Sequence, residues 1–150
     1  MARLNWKQVG AGPIVVLCLL SAMLFDYAIR GPKAKVRQTA LETELRRIAD
    51  PKSSIAGSFG SSYKTSNGYV EKFVWTDLPP DQVRSFYRET MEQNGWYFTK
   101  SESRLSKART IFCRNDGTGE AAVLELPDSP HEKSYRYSLK LIWGIDYGCS

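Results

Sequence analysis

An uncharged and mainly apolar segment occupies residues 9–25, close to the N-terminus. A helix needs roughly 20 apolar residues to cross about 30 Å of hydrocarbon. If Asp26 lies at the membrane interface, the apolar character continues to residue 29. The pattern therefore predicts an N-terminal tail (residues 1–8) followed by a single transmembrane anchor (residues 9–29).

A cleaved signal peptide is the competing interpretation, because Arg3 and Lys7 precede the apolar segment. However, no small-x-small cleavage motif follows it, since the segment ends in Met-Leu-Phe-Asp at residues 23–26. The residues before Cys18 also lack the small side chain expected ahead of a lipid-modified cysteine. An uncleaved signal anchor is therefore favoured.

Basic residues on both sides leave the orientation of the anchor open. Two precede the segment, and four follow it: Arg30, Lys33, Lys35 and Arg37. The positive-inside bias would keep the following domain in the cytoplasm, whereas a short basic tail ahead of a first span more often stays inside and exports the domain. The four later residues either contact anionic lipid, each gaining about 1 kcal/mol, or simply stop transfer.

A second helical pattern follows the anchor. Residues 30–50 predict a juxtamembrane amphipathic helix, centred on residues 34–49, that docks on the domain or lies along the membrane. Its apolar stripe consists of Leu41, Leu45 and Ile48. Gly31-Pro32 predicts an end or a kink of the membrane helix, and Asp50-Pro51 predicts the end of the amphipathic one.

Residues 51–150 predict one α+β domain. Residues 52–62 are rich in Ser and Gly and predict a loop. Two β-like runs, 62–65 and 69–76, surround Asn67-Gly68, which favours a hairpin because this dipeptide tolerates the positive φ of tight turns.

The clearest helix of the domain begins at Pro79-Pro80 and ends at Asn94-Gly95. Its Phe86/Tyr87 face is apolar and should pack on a sheet. Further strands are predicted from Trp96 and over three later runs: residues 108–114, 121–126 and 134–143. The fold class is therefore an N-terminal transmembrane helix followed by a two-layer α+β sandwich, in which a mainly antiparallel sheet of about six strands packs on one or two helices.

The sequence of residues 78–87, together with Asn94-Gly95-Trp96, resembles a recurrent bacterial pattern. In that pattern an Asp-Leu-Pro-like turn leads into a Phe-Tyr helix, and Gly-Trp begins the next strand. It is similar to small extracytoplasmic domains carried on membrane anchors or lipoproteins, most of unassigned function. The resemblance implies a fold and a location, and it supplies no catalytic residue.

The cysteines bear on the compartment. Cys113 closes a β-like run and Cys149 is the penultimate residue, so a disulfide between them would staple the C-terminus to the sheet. Such a pair is typical of an oxidising compartment. Two free buried thiols are the alternative. No CxxC motif is present, and His131, in a predicted surface loop, is the only histidine, so neither a metal site, a cofactor site nor a catalytic residue is predicted.

The formal charge of +5 is too small to indicate a nucleic-acid partner, and no RNA-binding motif matches. The sequence instead predicts a non-catalytic, membrane-anchored envelope domain. It would be a single-pass protein of the bacterial inner membrane, with its domain in the periplasm and with the bilayer and another envelope protein as partners. Alternatives are a small enzyme with a carboxylate-based site and a pilin-like subunit.

The abundance of aromatic residues predicts where a partner would bind. Tyr69, Phe73, Trp75 and Arg109 form a candidate partner surface if they lie on an uncovered face of the sheet. The juxtamembrane helix is expected to cover that face instead.

Overall fold

The computed structural model of the chain describes residues 11–114, 116–128 and 133–149, with the backbone alone at residues 11–14 and 26. The predicted tail (residues 1–8), the predicted loop around His131 and the side chain of Asp26 lie outside the described residues.

Helix α1 runs without a break from Ala11 to Arg47. The helix therefore does not end at Gly31-Pro32, contrary to one of the two outcomes predicted there. Pro32 removes one backbone donor, but the turns that follow it are stabilised because Leu41 and Leu45 are buried against the domain. The predicted anchor and the predicted juxtamembrane helix thus form one rod, about 55 Å long at 1.5 Å per residue.

Within the described residues, α1 is a helix long and apolar enough to cross a membrane. Its most apolar window has a mean hydropathy of 1.5, and none of that window is buried inside the protein. Large side chains such as Leu17, Met23 and Phe25 are about 70% exposed. These side chains need an apolar environment that the domain does not supply.

The rest of the chain forms an antiparallel sheet of six strands and one further helix. The strands are β1 (Ile55–Tyr63), β2 (Gly68–Thr76), β3 (Trp96–Arg104), β4 (Lys107–Arg114), β5 (Ala121–Pro127) and β6 (Tyr135–Trp143), and helix α2 (Pro80–Gln93) connects β2 to β3. The order in the sheet is β1-β2-β6-β5-β4-β3. The predicted α+β class is confirmed.

The predicted loop at residues 52–62 is wrong, because most of it is the edge strand β1. Its residues pair with β2 from Ile55 opposite Trp75 to Tyr63 opposite Gly68, with one irregularity. One of the glycines that indicated a loop allows the strands to approach closely: a Cβ on Gly57 would lie 2.8 Å from the carbonyl oxygen of Phe73.

The predicted β1–β2 hairpin is present, but Asn67-Gly68 does not have the positive φ that the motif suggested. Gly68 is required for a different reason. It lies opposite Trp143 in the register of β2 and β6, and a Cβ at this position would overlap the indole ring. The glycine therefore makes room for a core tryptophan.

Both helices pack on the same face of the sheet. The inward residues of α1 are Leu41, Leu45 and Ile48, and those of α2 are Val83, Tyr87 and Met91. They share one core with alternate residues of β2 and β6, among them Val70, Val74, Leu139 and Leu141. The Phe86/Tyr87 packing predicted for α2 is confirmed.

We expect Gly68→Val to lower the free energy of unfolding by about 1–3 kcal/mol, because the added methyl groups would displace the ring of Trp143. The measurement is urea unfolding of the detergent-solubilised full chain, followed by tryptophan fluorescence. Gly60→Val is the matched control, since nothing lies within 4 Å of a Cβ at Gly60. Equal stability of the two variants would contradict the role assigned to Gly68.

Candidate functional site

The face of the sheet opposite the helices carries the predicted partner residues. In β2, Val70 and Val74 point into the core, so Tyr69, Phe73 and Trp75 point away from it. Tyr69 is 36% exposed and Trp75 is 44% exposed. The expectation that the juxtamembrane helix covers these rings is wrong, because α1 packs on the side of Val70 and Val74. We call this surface the open face.

The position of α1 defines two ends of the open face. The β1–β2 turn reaches the apolar part of α1, where Thr65 lines a surface depression with Ala22, Met23 and Tyr27. This is the proximal end of the sheet. The distal end is where β2 finishes at Thr76 and β6 begins.

A surface cavity of ≈ 320 Å³, which we call the distal cleft, lies at the distal end of the open face. It opens where β5 and β6 separate, because their pairing stops at Glu125 and Ser138 while β5 continues to Pro127. The lining combines apolar, basic and acidic side chains: Phe73, Leu105, Lys107, Glu125, Leu126, Pro127, Arg136 and others.

An aromatic and cationic rim borders the cleft. The guanidinium carbon of Arg136 lies 4.8 Å from the centroid of the Phe73 ring. Trp75 is the cross-strand neighbour of Arg136. Trp, Phe and Arg are the side chains over-represented at energetically dominant positions of protein interfaces.

Leu105 was missed by the sequence analysis. It lies at the β3–β4 turn with φ +52°, followed by Ser106 with φ +61°, and its side chain is 88% exposed. A left-handed conformation costs a residue with a Cβ roughly 1–2 kcal/mol. The signal in the sequence was an apolar residue isolated between Arg104 and Lys107, without the Asn-Gly usual for such a turn.

The centre of the open face is a ladder of alternating charges. Lys140 Nζ lies 3.2 Å from Glu71 and 3.5 Å from Glu125, and Arg109 also pairs with Glu125, at 2.5 Å. Burial alone would raise the pKa of Glu125, but Lys140 and Arg109 together hold it below its ordinary value. Burial alone would lower the pKa of Lys140, but Glu125 and Glu71 together hold it above its ordinary value. Arg109 thus lies on the predicted face, with its charge neutralised by a neighbour.

The proximal end of the open face is covered by the C-terminal segment. Tyr147 packs on Ile111, Val123 and Ile142. The predicted disulfide joins Cys113 to Cys149 in the structure, with a Cα–Cα distance of 5.3 Å, and it fixes this cover. Tyr69, opposite Ile142 at this end, stays 36% exposed, and the other partly accessible aromatic side chains of the face, Phe73 and Trp75, lie toward the distal cleft.

The four predicted membrane-proximal basic residues divide into different environments. Arg37 donates from Nε to Glu120 at 2.9 Å and from a terminal nitrogen to the carbonyl of Thr118 at 3.0 Å. It ties α1 to the sheet and is not available to lipid in this arrangement. Lys33 and Lys35 are exposed, and Arg30 makes an interaction of its own.

A buried polar cluster lies behind the sheet, where α1 ends. Lys72 donates to the carbonyl of Ile48 at 2.7 Å and pairs with Asp50 at 2.6 Å. The Tyr87 hydroxyl donates to Asp50 at 2.6 Å and lies 3.2 Å from the hydroxyl of Tyr137. Burial lowers the pKa of Lys72 against the effect of Asp50, and burial raises the pKa of Tyr87 and, to about 12, that of Tyr137. The cluster caps the C-terminus of α1.

No group of three or more His, Cys, Asp or Glu residues in the described part of the chain is placed to hold a metal ion. No protein-family model, curated protein or solved structure matches the chain significantly. The candidate site is therefore defined by the geometry of the open face.

We expect stability to fall as the pH rises above about 10, the ordinary pKa of tyrosine. The folded chain retains the Tyr137 proton up to a pKa of about 12, whereas the unfolded chain releases it earlier. The loss approaches about 1.4 kcal/mol per pH unit for this residue. Urea unfolding between pH 8.5 and 11.5 should therefore give a shallower decline for Tyr137→Phe. Tyr97→Phe, which removes an exposed hydroxyl, is the control; identical slopes for wild type and Tyr137→Phe would contradict the prediction.

Proposed function

We propose that the chain is a single-pass protein of the bacterial inner membrane whose periplasmic domain binds another envelope protein through the distal cleft. The observation that carries the proposal is the group of accessible apolar side chains around the cleft: Phe73, Trp75 and Leu105. They lie beside two cations, Lys107 and Arg136, on a face that neither helix covers.

Two features support the location. The apolar part of α1 is unburied and long enough to cross a bilayer. The Cys113–Cys149 disulfide is typical of a chain that folds in an oxidising compartment. Export of the domain also agrees with the short basic tail ahead of the anchor.

The chemistry of the cleft supports a particular kind of partner. Pro127 and Phe73 offer an apolar surface, and the charge of Glu125 is balanced by its neighbours Arg109 and Lys140. Arg136 and Lys107 leave the rim cationic. The partner that fits best is a protein segment with one protruding apolar side chain next to a carboxylate.

The unbroken α1 favours a pilin-like subunit as the second candidate. A helix that ended at Pro32 would argue against that class, but α1 continues through this residue. The glycine-then-Phe-Thr-Leu-x-Glu processing signature remains absent from the sequence. N-terminal sequencing of the membrane-bound chain separates the candidates, because a pilin-like subunit loses the basic residues ahead of its apolar segment and an uncleaved anchor keeps Arg3 and Lys7.

Topology is tested with alkaline phosphatase fused after Ser150 in a bacterial host, next to a β-galactosidase fusion at the same position. We expect an active phosphatase and an inactive galactosidase. The purified chain should then present one thiol, Cys18, to a denaturing thiol assay without reductant. The reverse reporter pattern, with three titrating thiols, would place the domain in the cytoplasm.

Partner binding is tested with a photo-cross-linking amino acid at Leu105, compared with the same group at Glu89 on the exposed side of α2. We expect a discrete envelope-protein adduct at Leu105 only. Trp75→Ala should weaken binding of that partner by about 2 kcal/mol, which is roughly a thirtyfold loss of affinity, as for a dominant interface residue. Adducts of equal yield at both positions, or an adduct indifferent to Trp75→Ala and Arg136→Glu, would contradict binding at the cleft.

A further inference from the structure

The β1–β2 turn lies against the apolar part of α1. Its residue Thr65 is partly buried and borders a depression of ≈ 480 Å³, which we call the proximal depression. The helical wall of the depression consists of Leu19, Ala22, Met23 and Tyr27. The three large side chains of this wall are each more than half exposed. The domain therefore touches the apolar part of α1 at the turn but does not cover it.

The pairing of β1 with α1 gives the height of the turn independently. Gln38 donates to the hydroxyl of Ser61 at 2.8 Å, so this part of β1 lies beside Gln38. From Ser61 the extended chain reaches up to about 13 Å further to Thr65. About nine residues of helix rise by the same distance. The turn thus reaches the level of about residue 29, where the predicted anchor ends.

The residues of the turn suit the headgroup layer of a membrane and not its hydrocarbon core. The turn consists of Lys64, Thr65, Ser66 and Asn67, and a hydrogen bond of 2.7 Å from the N–H of Lys64 to the carbonyl of Asn67 closes it. Its remaining polar groups need partners, which phosphates, ester carbonyls and water supply and hydrocarbon does not. On α1, the exposed Tyr27 lies next to the turn, and tyrosine is enriched at the membrane interface.

We infer that the β1–β2 turn rests in the phospholipid headgroup layer and that an acyl chain of a phospholipid occupies the proximal depression beneath it. This inference rests on the proposed anchoring. Leu19 and Met23 belong to the predicted span, and they share the depression with Thr65. The lipid that surrounds these two side chains therefore also lies against the turn.

The docking of α1 prevents the turn from lifting away from this position. Leu41 and Leu45 are buried in the core that α1 shares with the sheet, and α1 continues without a break into its apolar part. A movement of the turn away from Tyr27 would require these contacts to open. The contact with lipid is therefore set by the fold and does not need a separate binding step.

The cations beside the proximal depression fit anionic headgroups. Lys64 lies in the turn, and Lys33 lies on α1; both are exposed. A basic residue next to an anionic membrane surface gains about 1 kcal/mol. The acids Asp116 and Asp146 lie on other turns of the proximal end, where each accepts a hydrogen bond from its own turn.

Depth-dependent fluorescence quenching of the full chain in vesicles tests the inference. In a Cys18→Ser background with the disulfide intact, an NBD dye is attached at Thr65→Cys. The matched control carries the dye at Ser106→Cys, in the exposed β3–β4 turn at the distal end. The vesicles contain phosphatidylcholine, phosphatidylglycerol and a lipid with a doxyl quencher, placed either near the ester end or near the middle of the acyl chain.

We expect the quencher near the ester end to quench the dye at Thr65 severalfold more strongly than the quencher in the middle of the chain. The dye at Ser106 should be quenched by neither. Equally weak quenching at the two positions, or stronger quenching from the middle of the chain, would overturn the inference. A blue-shifted but unquenched dye at Thr65 would also overturn it, because protein would then cover the depression.

A change of charge tests the contact with anionic headgroups. Lys64→Glu should lower the quenching of the Thr65 dye severalfold, because an attraction is replaced by a repulsion. Lys52→Glu makes the same change beyond the C-terminus of α1 and should have no effect. In vesicles of phosphatidylcholine alone, both variants should match the parent chain. Equal effects of the two variants, or an effect of Lys64→Glu that persists in phosphatidylcholine, would overturn the charge contact.

A dye at Met23→Cys separates this inference from the proposed function. Quenching of the Met23 dye from the middle of the acyl chain, without quenching at Thr65, overturns the contact of the turn and leaves the anchor in place. Absence of quenching at both positions overturns the anchoring proposal and this inference with it. Cross-linking through Leu105 is scored independently of both results.

Discussion

The docking of α1 on the sheet is the contact on which the other features depend. Leu41, Leu45 and Ile48 supply its apolar part, and ionic groups fix both ends of the docked half. At the C-terminus of the helix, the buried ammonium of Lys72 bonds to the carbonyl of Ile48 and thereby neutralises a helix end that is otherwise rich in unpaired acceptors. Nearer the apolar part of α1, Arg37 bonds to Glu120. The helix therefore leaves the domain in a fixed direction.

A second ionic chain reinforces this direction in the middle of the docked half. Glu44 accepts hydrogen bonds from Trp96 Nε1, at 2.9 Å, and from Arg114, which also bonds to Glu120. Removing one member would leave a partly buried charge unpaired, which costs more than the pair contributes. Helix α1 thus supplies both part of the domain core and the apolar segment that is long enough to cross a membrane.

Because both helices pack on one face of the sheet, the other face has no helical cover. The outward residues of the central strands are charged in the middle, where Lys140 links Glu71 to Glu125, and this ladder keeps the face soluble without a cover. Apolar groups then remain at its two ends. Tyr147 packs on the proximal group and leaves Tyr69 partly exposed there, and the distal group around Phe73 has no such cover.

Much of the fold could be predicted because the hydrophobic periodicity of a segment and the residues that end it indicate the same element. The alternation in β6 and the Pro80 and Asn94-Gly95 boundaries of α2 are local signals, and the structure follows them. The misses come from tertiary contacts that override local signals. The glycine-rich β1 is held by pairing with β2, and Pro32 is carried through a helix that is fixed by packing further along. The aromatic residues of the candidate site were predictable from composition. Their exposure depended on the face of the sheet on which α1 packs.

Leu105 illustrates the remaining limit. Its turn lacks the Asn-Gly that usually indicates a tight hairpin. The left-handed backbone is instead adopted by a leucine and a serine between two paired strands. A pattern based on turn residues therefore passes over it. Leu105 is recognised as part of the candidate site only because the structure places its turn beside the distal cleft.

The unbroken helix through Pro32 sets a height. About twenty residues of α1 separate Tyr27 from Arg47, and at 1.5 Å per residue this corresponds to roughly 30 Å. A flexible tether would leave the domain free to move relative to the apolar part of α1, whereas this continuous helix fixes the position of one relative to the other. A partner bound at the proposed site would therefore have to present its binding segment at a fixed distance from the apolar part of α1, so the rod would select partners by their reach as well as by their chemistry.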